Sequence, residues 1–291
     1  ANTTNTGIGA VLRTVAVGCE TSQLSNRTPP VEGLTVQQMV GEVAGYLGLG
    51  TPTINIDNEP RIQREIRKEF FISKHGLRDA QWSLLRGISE ARELIYIESP
   101  QFAPTARVST PAKPFEVDLV AAIAERLKNH PNLKVIVCTP RLSDYSASFK
   151  AFSRYRYVAR NEAASMLMSA AQDRVAIFHP VGFPGRTAYI RTTSVIVDDV
   201  WSLVGTAHFR RRGMTFDGSV SIASFDQDFR DGYSRKIRDY RRQLMGAKLN
   251  IQAPSAAQPL SGDWIRLERP ASAFALVSDW LDQGGLGRIK P

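Results

Sequence analysis

Residues 191–217 read Arg-Thr-Thr-Ser-Val-Ile-Val-Asp-Asp-Val-Trp-Ser-Leu-Val-Gly-Thr-Ala-His-Phe-Arg-Arg-Arg-Gly-Met-Thr-Phe-Asp. No other stretch of the 291-residue chain constrains the fold as much. Tyr189 to Val197 and Trp201 to Val204 are rich in β-branched residues and predict a hairpin, with Asp198 at the strand-to-turn junction. Around this hairpin, strand and helix patterns alternate. Ala10 to Gly18, Leu94 to Glu98, Leu133 to Thr139, Arg174 to Phe178 and Ser219 to Ser224 read as strands. Asp79 to Leu94, with Trp82, Leu85, Ile88 and Ala91 on one face, reads as an amphipathic helix. Phe115 to Asn129, Asp144 to Asp173 and Asp226 to Met245 also read as helices. Such alternation predicts an α/β fold with a mixed, largely parallel sheet covered by helices on both faces.

The same residues carry a family resemblance. Asp198, Gly205 seven residues later and the Thr215-Phe-Asp-Gly218 ending resemble the second catalytic motif of the phospholipase D superfamily. In that motif His-x-Lys and an Asp five residues after the Lys share a hairpin, followed by a Gly-Ser-x-Asn turn and an acidic strand start. Ile95-Tyr-Ile-Glu98-Ser-Pro-Gln-Phe102 is similar to the family's Ile-Tyr-Ile-Glu-Asn-Gln-Tyr-Phe segment. The resemblance spans about Ala10 to Leu249 and covers one half of what monomeric members duplicate; the chain has no second His-x-Lys-x4-Asp copy. The reactive groups depart from the pattern. Arg191 stands at the His position, Thr193 at the Lys, Thr206 at the Ser, His208 at the Asn and Ser219 at the acid.

The resemblance implies a two-step phosphoryl transfer in intact members. One His attacks phosphorus, a second His from the other half protonates the leaving alkoxide, and Lys, Ser and Asn hold the non-bridging oxygens. Arg191 cannot be that nucleophile, because a guanidinium stays protonated at any working pH. Two roles stay open for it, a phosphate ligand or an ion-pair partner of Asp198. The candidate catalytic residues are Asp198 and His208, the one imidazole in the motif, and the candidate substrate-binding residues are Arg191, Thr193, Gly205 and Thr206. Of the other histidines, His130 reads as a helix cap, His179 as a loop residue and His75 as a residue near the site rim. Neither cofactor nor metal is implied, since four histidines and two cysteines without close spacing do not make a zinc site.

Charge sharpens the choice of partner. The net charge of +9, with Arg210, Arg211 and Arg212 together and six more basic residues within Arg230 to Arg242, favours anionic partners. The leading expectation is a catalytically degenerate C-terminal half that acts on phospholipid only with a complementary half bearing an intact motif. The partners are then that half and an anionic phospholipid headgroup. The alternatives are a pseudoenzyme scaffold and a nucleic-acid binder; Tyr233 and Tyr240 are the only aromatics interleaved with the basic runs, which argues against the latter.

No apolar run is long enough for a transmembrane helix, which leaves a soluble or membrane-peripheral chain. The start, Ala1-Asn-Thr-Thr without Met, is read as a processed piece of something longer. Cys138 ends an apolar run, so two buried thiols, Cys19 and Cys138, are favoured over a disulfide. The expected organisation is a half domain over 1–250 with an insertion at 34–72, then a linker and a C-terminal helix over 251–291. In that helix Phe274, Val277 and Leu281 are spaced to pack back on the body.

Overall fold

The structure, a computed structural model, describes residues 7–15, 75–106, 115–143, 150–180, 188–254 and 262–289. The predicted insertion at 34–72, the loop at 21–33 and Cys19 lie outside the described residues. Strands are β1 (Gly7–Val15), β2 (Leu77–Arg78), β3 (Leu94–Glu98), β4 (Lys134–Cys138), β5 (Val175–His179), β6 (Thr193–Val197), β7 (Trp201–Gly205), β8 (Ser219–Asp226), β9 (Phe229–Arg230), β10 (Tyr233–Ser234) and β11 (Gly287–Arg288). Helices are α1 (Asp79–Glu90), α2 (Leu119–Asn129), α3 (Lys150–Ala171), α4 (Arg211–Thr215), α5 (Arg235–Leu249), α6 (Gly262–Arg266) and α7 (Pro270–Asp282).

Among the described residues one sheet runs β11-β5-β4-β3-β6-β7-β8-β1-β2, and β9 with β10 forms a separate ribbon. The sheet is mixed, as the alternation implies. Its parallel part is narrower than that alternation suggests: only β3, β4 and β5 pair in parallel, joined through α2 and α3. From β3 through β6 and β7 to β8 neighbours pair antiparallel, and at β6–β7 the tight turn at 198–200 allows nothing else.

Because side chains alternate across a strand, β3 divides its residues between two cores. Ile95 and Ile97 face one core with Val135, Val137, Val195 and Leu203, closed by Leu84, Ile88, Ile123 and Leu167 of α1, α2 and α3. Leu94 and Tyr96 face the other with Ile136, Phe178 and Ile196, closed by Ile237 and Met245 of α5, Trp264 of α6 and Phe274, Val277 and Leu281 of α7. The C-terminal helix therefore packs back with the three residues its spacing selects, and it is an integral cover of the sheet. Cys138 is a buried free thiol in this second core.

Two local readings are corrected. Trp82 does not join the inner face of α1: it is exposed and stacks under the Arg78 guanidinium, while Ala80, Gln81, Leu84 and Ile88 are buried. The indole lies one position off the buried stripe, where its apolar ring still gains a cation–π contact. The basic helix begins at Arg235 and not at Asp226. Asp231 and Gly232 both take positive φ, 55° and 85°, and turn the chain between β9 and β10 before α5 starts. Asp-Gly is the dipeptide that such a two-residue hairpin turn favours.

The arginine-rich stretches are engaged by carboxylates. Arg210 and Arg212 both pair with Asp217, Arg211 with Glu116, Arg235 with Asp228, and Arg238 and Arg242 with Glu268. Arg241 is fully buried and grips Asp199 through Nε (2.6 Å) and Nη2 (2.7 Å); Nη2 also donates to Leu267 O (2.9 Å) and Nη1 to Met245 Sδ (3.4 Å). This bidentate pair ties the β6–β7 turn to α5 and α6. Asp199 sits at φ 54° next to Asp198 at φ 52°, a left-handed pair that short polar side chains tolerate.

Candidate anion-binding cleft

At the C-terminal end of β3 the chain makes a close junction with the segment that follows β7. Ala103 N–H donates to Phe209 O (2.9 Å), Phe209 N–H donates to Ser99 Oγ (3.1 Å), and the rings of Phe102 and Phe209 stack at 5.4 Å. Gly213 allows α4 to close on this junction, since a Cβ there would meet His208 O at 2.3 Å. These contacts place His208 at the lip of a cleft of about 200 Å³, together with Arg156, Tyr189, Arg191 and Arg210. No carboxylate lines it among the described residues.

His208 is held from behind by hydroxyls. Its Nδ1 lies 3.2 Å from Thr193 Oγ1, and Thr193 Oγ1 lies 3.1 Å from Ser99 Oγ. Both hydroxyls are fully buried, so each needs somewhere to place its proton. Ser99 Oγ already accepts from Phe209 N–H and therefore donates to Thr193; Thr193 in turn donates to Nδ1. The opposite direction would strand the buried Ser99 proton. The chain of donors thus fixes His208 in the neutral tautomer with its proton on Nε2. An imidazole so held donates a hydrogen bond from Nε2.

The candidate residues divide accordingly. Arg191 and His208 line the cleft, and Thr193, fully buried and outside the lining, supports His208 from behind. Asp198 lies apart from these residues. It caps the far end of β6, five residues from Thr193, a span of about 16 Å at strand rise. Its carboxylate accepts from the backbone N–H groups of Arg92 (2.7 Å), Glu93 (2.8 Å) and Leu94 (2.8 Å), and its own N–H donates to Leu94 O (2.8 Å). Burial pushes the Asp198 carboxyl above the usual carboxylate range, against the pull of those three donors. It locks the hairpin tip onto the start of β3 and lies outside the cleft lining, with backbone donors and not Arg191 against its carboxylate.

Gly205 and Thr206 lie outside the cleft lining. A Cβ on Gly205 would lie 2.4 Å from Ser221 Cα, so glycine is what lets β8 approach β7. Thr206 Oγ1 accepts from Val220 N–H at 3.3 Å. His130 caps α2, and its N–H donates to Arg126 O (3.0 Å). His179 ends β5 under Gly287 and outside the cleft lining; burial pulls its imidazole below the usual range.

Sequence reasoning missed Arg156, Tyr189 and Ser99. Arg156 reaches the cleft only because α3 crosses above the β4 end, which no local pattern announces. Ser99 had a signal, since it directly follows the buried Ile-Tyr-Ile-Glu strand at the end where α/β sheets place their sites.

No protein-family model matches the chain, and no protein of curated function matches it. Solved structures to which it is similar include Nuc, a phospholipase D family member from Salmonella typhimurium, at 13% identity; 60% of this chain and 88% of that one are covered, with a TM-score of 0.40. NucT from Helicobacter pylori is similar at 18% identity over 60% of this chain and 89% of that chain, TM-score 0.38. Phosphatidylserine synthase from Haemophilus influenzae Rd KW20 is similar at 10% identity over 85% and 59%, TM-score 0.44.

Proposed function

We propose that this chain is a catalytically degenerate phospholipase-D-like half that binds the phosphodiester of a phospholipid headgroup, and that hydrolysis requires a complementary half with an intact motif. The observation that carries the reading is the cleft itself: three guanidinium groups and a donor imidazole converge with no carboxylate among the described lining residues. Arginine forks match phosphate oxygens. Arg210 lines the cleft with its guanidinium fixed by Asp217, which accepts from Nη2.

The same geometry supports binding without turnover. Position 191 is a cation that forms no phospho-intermediate, and His208 presents a proton where a nucleophile would need a lone pair. The purified chain is expected to bind inorganic phosphate or glycerophosphoglycerol in titration calorimetry. It is expected to leave phosphatidylcholine and bis-nitrophenyl phosphate intact. Turnover that survives His208→Ala would place the chemistry elsewhere and overturn the reading. An Arg191→Ala variant that binds phosphate as tightly as the parent would overturn the assignment of the cleft.

A further inference from the structure

The mouth of the cleft carries a surface that phosphate binding alone does not use. Tyr157 and Tyr189 staple three segments together: Ser143 N–H donates to Tyr157 Oη (3.0 Å), and Tyr189 Oη–H donates to Ser143 O (3.1 Å). Arg160 adds bonds from Nη1 to Pro140 O and Arg141 O, both at 3.0 Å. The first turns of α3, the loop at 140–143 and Tyr189 therefore form one continuous rim. Upon it stand Leu142 (47% exposed), Phe152 (56%), Tyr155 (48%) and Tyr189 (44%).

Cations surround these apolar groups. Phe152, Tyr155 and Arg156 lie within one face of α3 by helical spacing, with Arg154 on the other flank of the Phe152–Tyr155 ridge. Arg154 is exposed, as are Lys150, Arg141 and Arg191. From Lys150 to Asn161 the helix has no acidic residue.

We propose that this rim docks on the surface of a bilayer containing anionic phospholipid and so presents a headgroup to the cleft. Protruding Phe, Tyr and Leu tips flanked by basic stems are what an interfacial surface offers, with apolar tips entering the acyl boundary and arginines staying among the phosphates. A nucleic acid is the less suitable partner. Its affinity comes from many phosphate contacts along a basic track. Here the two richest arginine runs hold internal carboxylates, at Asp217, Glu116, Asp228, Asp199 and Glu268. The docking inference rests on the phosphodiester cleft proposed above, and the two fail separately in the following experiment.

The intact chain is mixed with vesicles of phosphatidylcholine alone or with phosphatidylglycerol added, and bound protein is measured by flotation. Binding is expected to the mixed vesicles and to be at least about tenfold weaker to the neutral ones. The double variant Phe152→Ser with Tyr155→Ser is expected to lose about tenfold in vesicle partition, the size expected for withdrawing two aromatic tips, while phosphate titration is unchanged. Arg191→Ala is expected to weaken phosphate binding and to keep most of the partition. If the double variant partitions like the parent, docking at the rim is wrong. If vesicles are not bound and a single-stranded oligonucleotide is, with the same two substitutions abolishing that binding, the rim serves a nucleic acid and the proposal is overturned. If the double variant loses partition while Arg191→Ala leaves phosphate binding intact, the rim stands and the cleft assignment falls.

Discussion

Thr193 Oγ1 lies 3.2 Å from Nδ1 of His208, and this hydroxyl stands where the resembled motif carries a Lys. The substitution converts a charged phosphate ligand into a buried hydrogen-bond donor behind an imidazole. Thr193→Val keeps the shape and removes the donor. We expect the Nε2–H tautomer to lose its exclusive hold, seen as a shift of the His208 ring nitrogens in two-dimensional nitrogen–proton spectra. Phosphate affinity is expected to fall about three- to tenfold, the range of one hydrogen bond. Thr193→Ser restores the donor and is expected to restore both signals. Unchanged ring shifts in Thr193→Val would mean the relay does not set the tautomer.

Asp198 and Thr193 mark opposite ends of β6, and their variants are expected to separate stability from binding. Asp198→Ala leaves the N–H groups of Arg92, Glu93 and Leu94 without their shared acceptor. A loss of about 2–4 kcal/mol is expected in denaturant unfolding, with phosphate affinity in the folded protein unchanged. A variant that kept its stability and lost phosphate binding would return Asp198 to the site.

Arg241→Met tests the buried anchor. Removing the guanidinium strands the Asp199 carboxylate with no water to receive it, and about 3–5 kcal/mol of stability is expected to go. Arg241→Met with Asp199→Leu removes both charges, and much of that loss should return. The cycle is read from denaturant midpoints, and a double variant no better than the single one would show that the turn needs the carboxylate for its own conformation.

Burial pushes both the Cys138 thiol and the Tyr96 phenol well above their ordinary values, with the Glu98 carboxylate adding to each shift. In the unfolded chain they ionise near their usual values of about 8.5 and 10, so the unfolded state releases protons that the folded state keeps. Stability is therefore fully present below about pH 8.5 and declines as pH rises, by up to ~1.4 kcal/mol per unit for each group engaged. Melting temperature is expected to drop between pH 8 and 10. Cys138→Ala should flatten the first part of that drop, and an identical pH profile in the variant would assign it to other groups.

The fold was legible where the pattern was local and the site only in part. Val195 to Val197 against Trp201 to Val204 announced the hairpin, and Phe274, Val277 and Leu281 announced the docking face of α7. The Asp231-Gly232 turn was also written in the sequence, but the basic residues on both sides of it suggested a single helix. Charge was read less well. The arginines of 210–212 and 235–242 look like an anion-binding surface in sequence, because their carboxylate partners sit as much as 95 residues away, as Glu116 does from Arg211. Asp198 resembled a catalytic residue by position alone. Its three amide partners lie more than a hundred residues upstream and became visible only once β3 and β6 were paired.

Restoring the His, Lys and Asn of the resembled motif takes three of the five changes, and the third is set by geometry. Thr193 is fully buried against Ser99 and His208, so a Lys there must pass through the space the imidazole holds. Thr193→Lys alone is expected to cost about 1–3 kcal/mol by overpacking and by burying an ammonium. His208→Asn, the residue the motif carries, shortens the side chain and supplies a carbonyl oxygen to accept from the ammonium. The pair is therefore expected to be more stable than the sum of its parts by about 1–2 kcal/mol in a double-mutant cycle. Arg191→His lies at the exposed cleft edge and is expected to add within about 0.5 kcal/mol. The triple variant then has the imidazole, the cation and the amide that the chemistry needs, though still one histidine of the two. With a complementing intact half it is expected to raise hydrolysis of bis-nitrophenyl phosphate above that of the parent mixture. An additive cycle between Thr193→Lys and His208→Asn would show that the two positions changed independently, and that the hydroxyl relay behind His208 is not what keeps the Lys out.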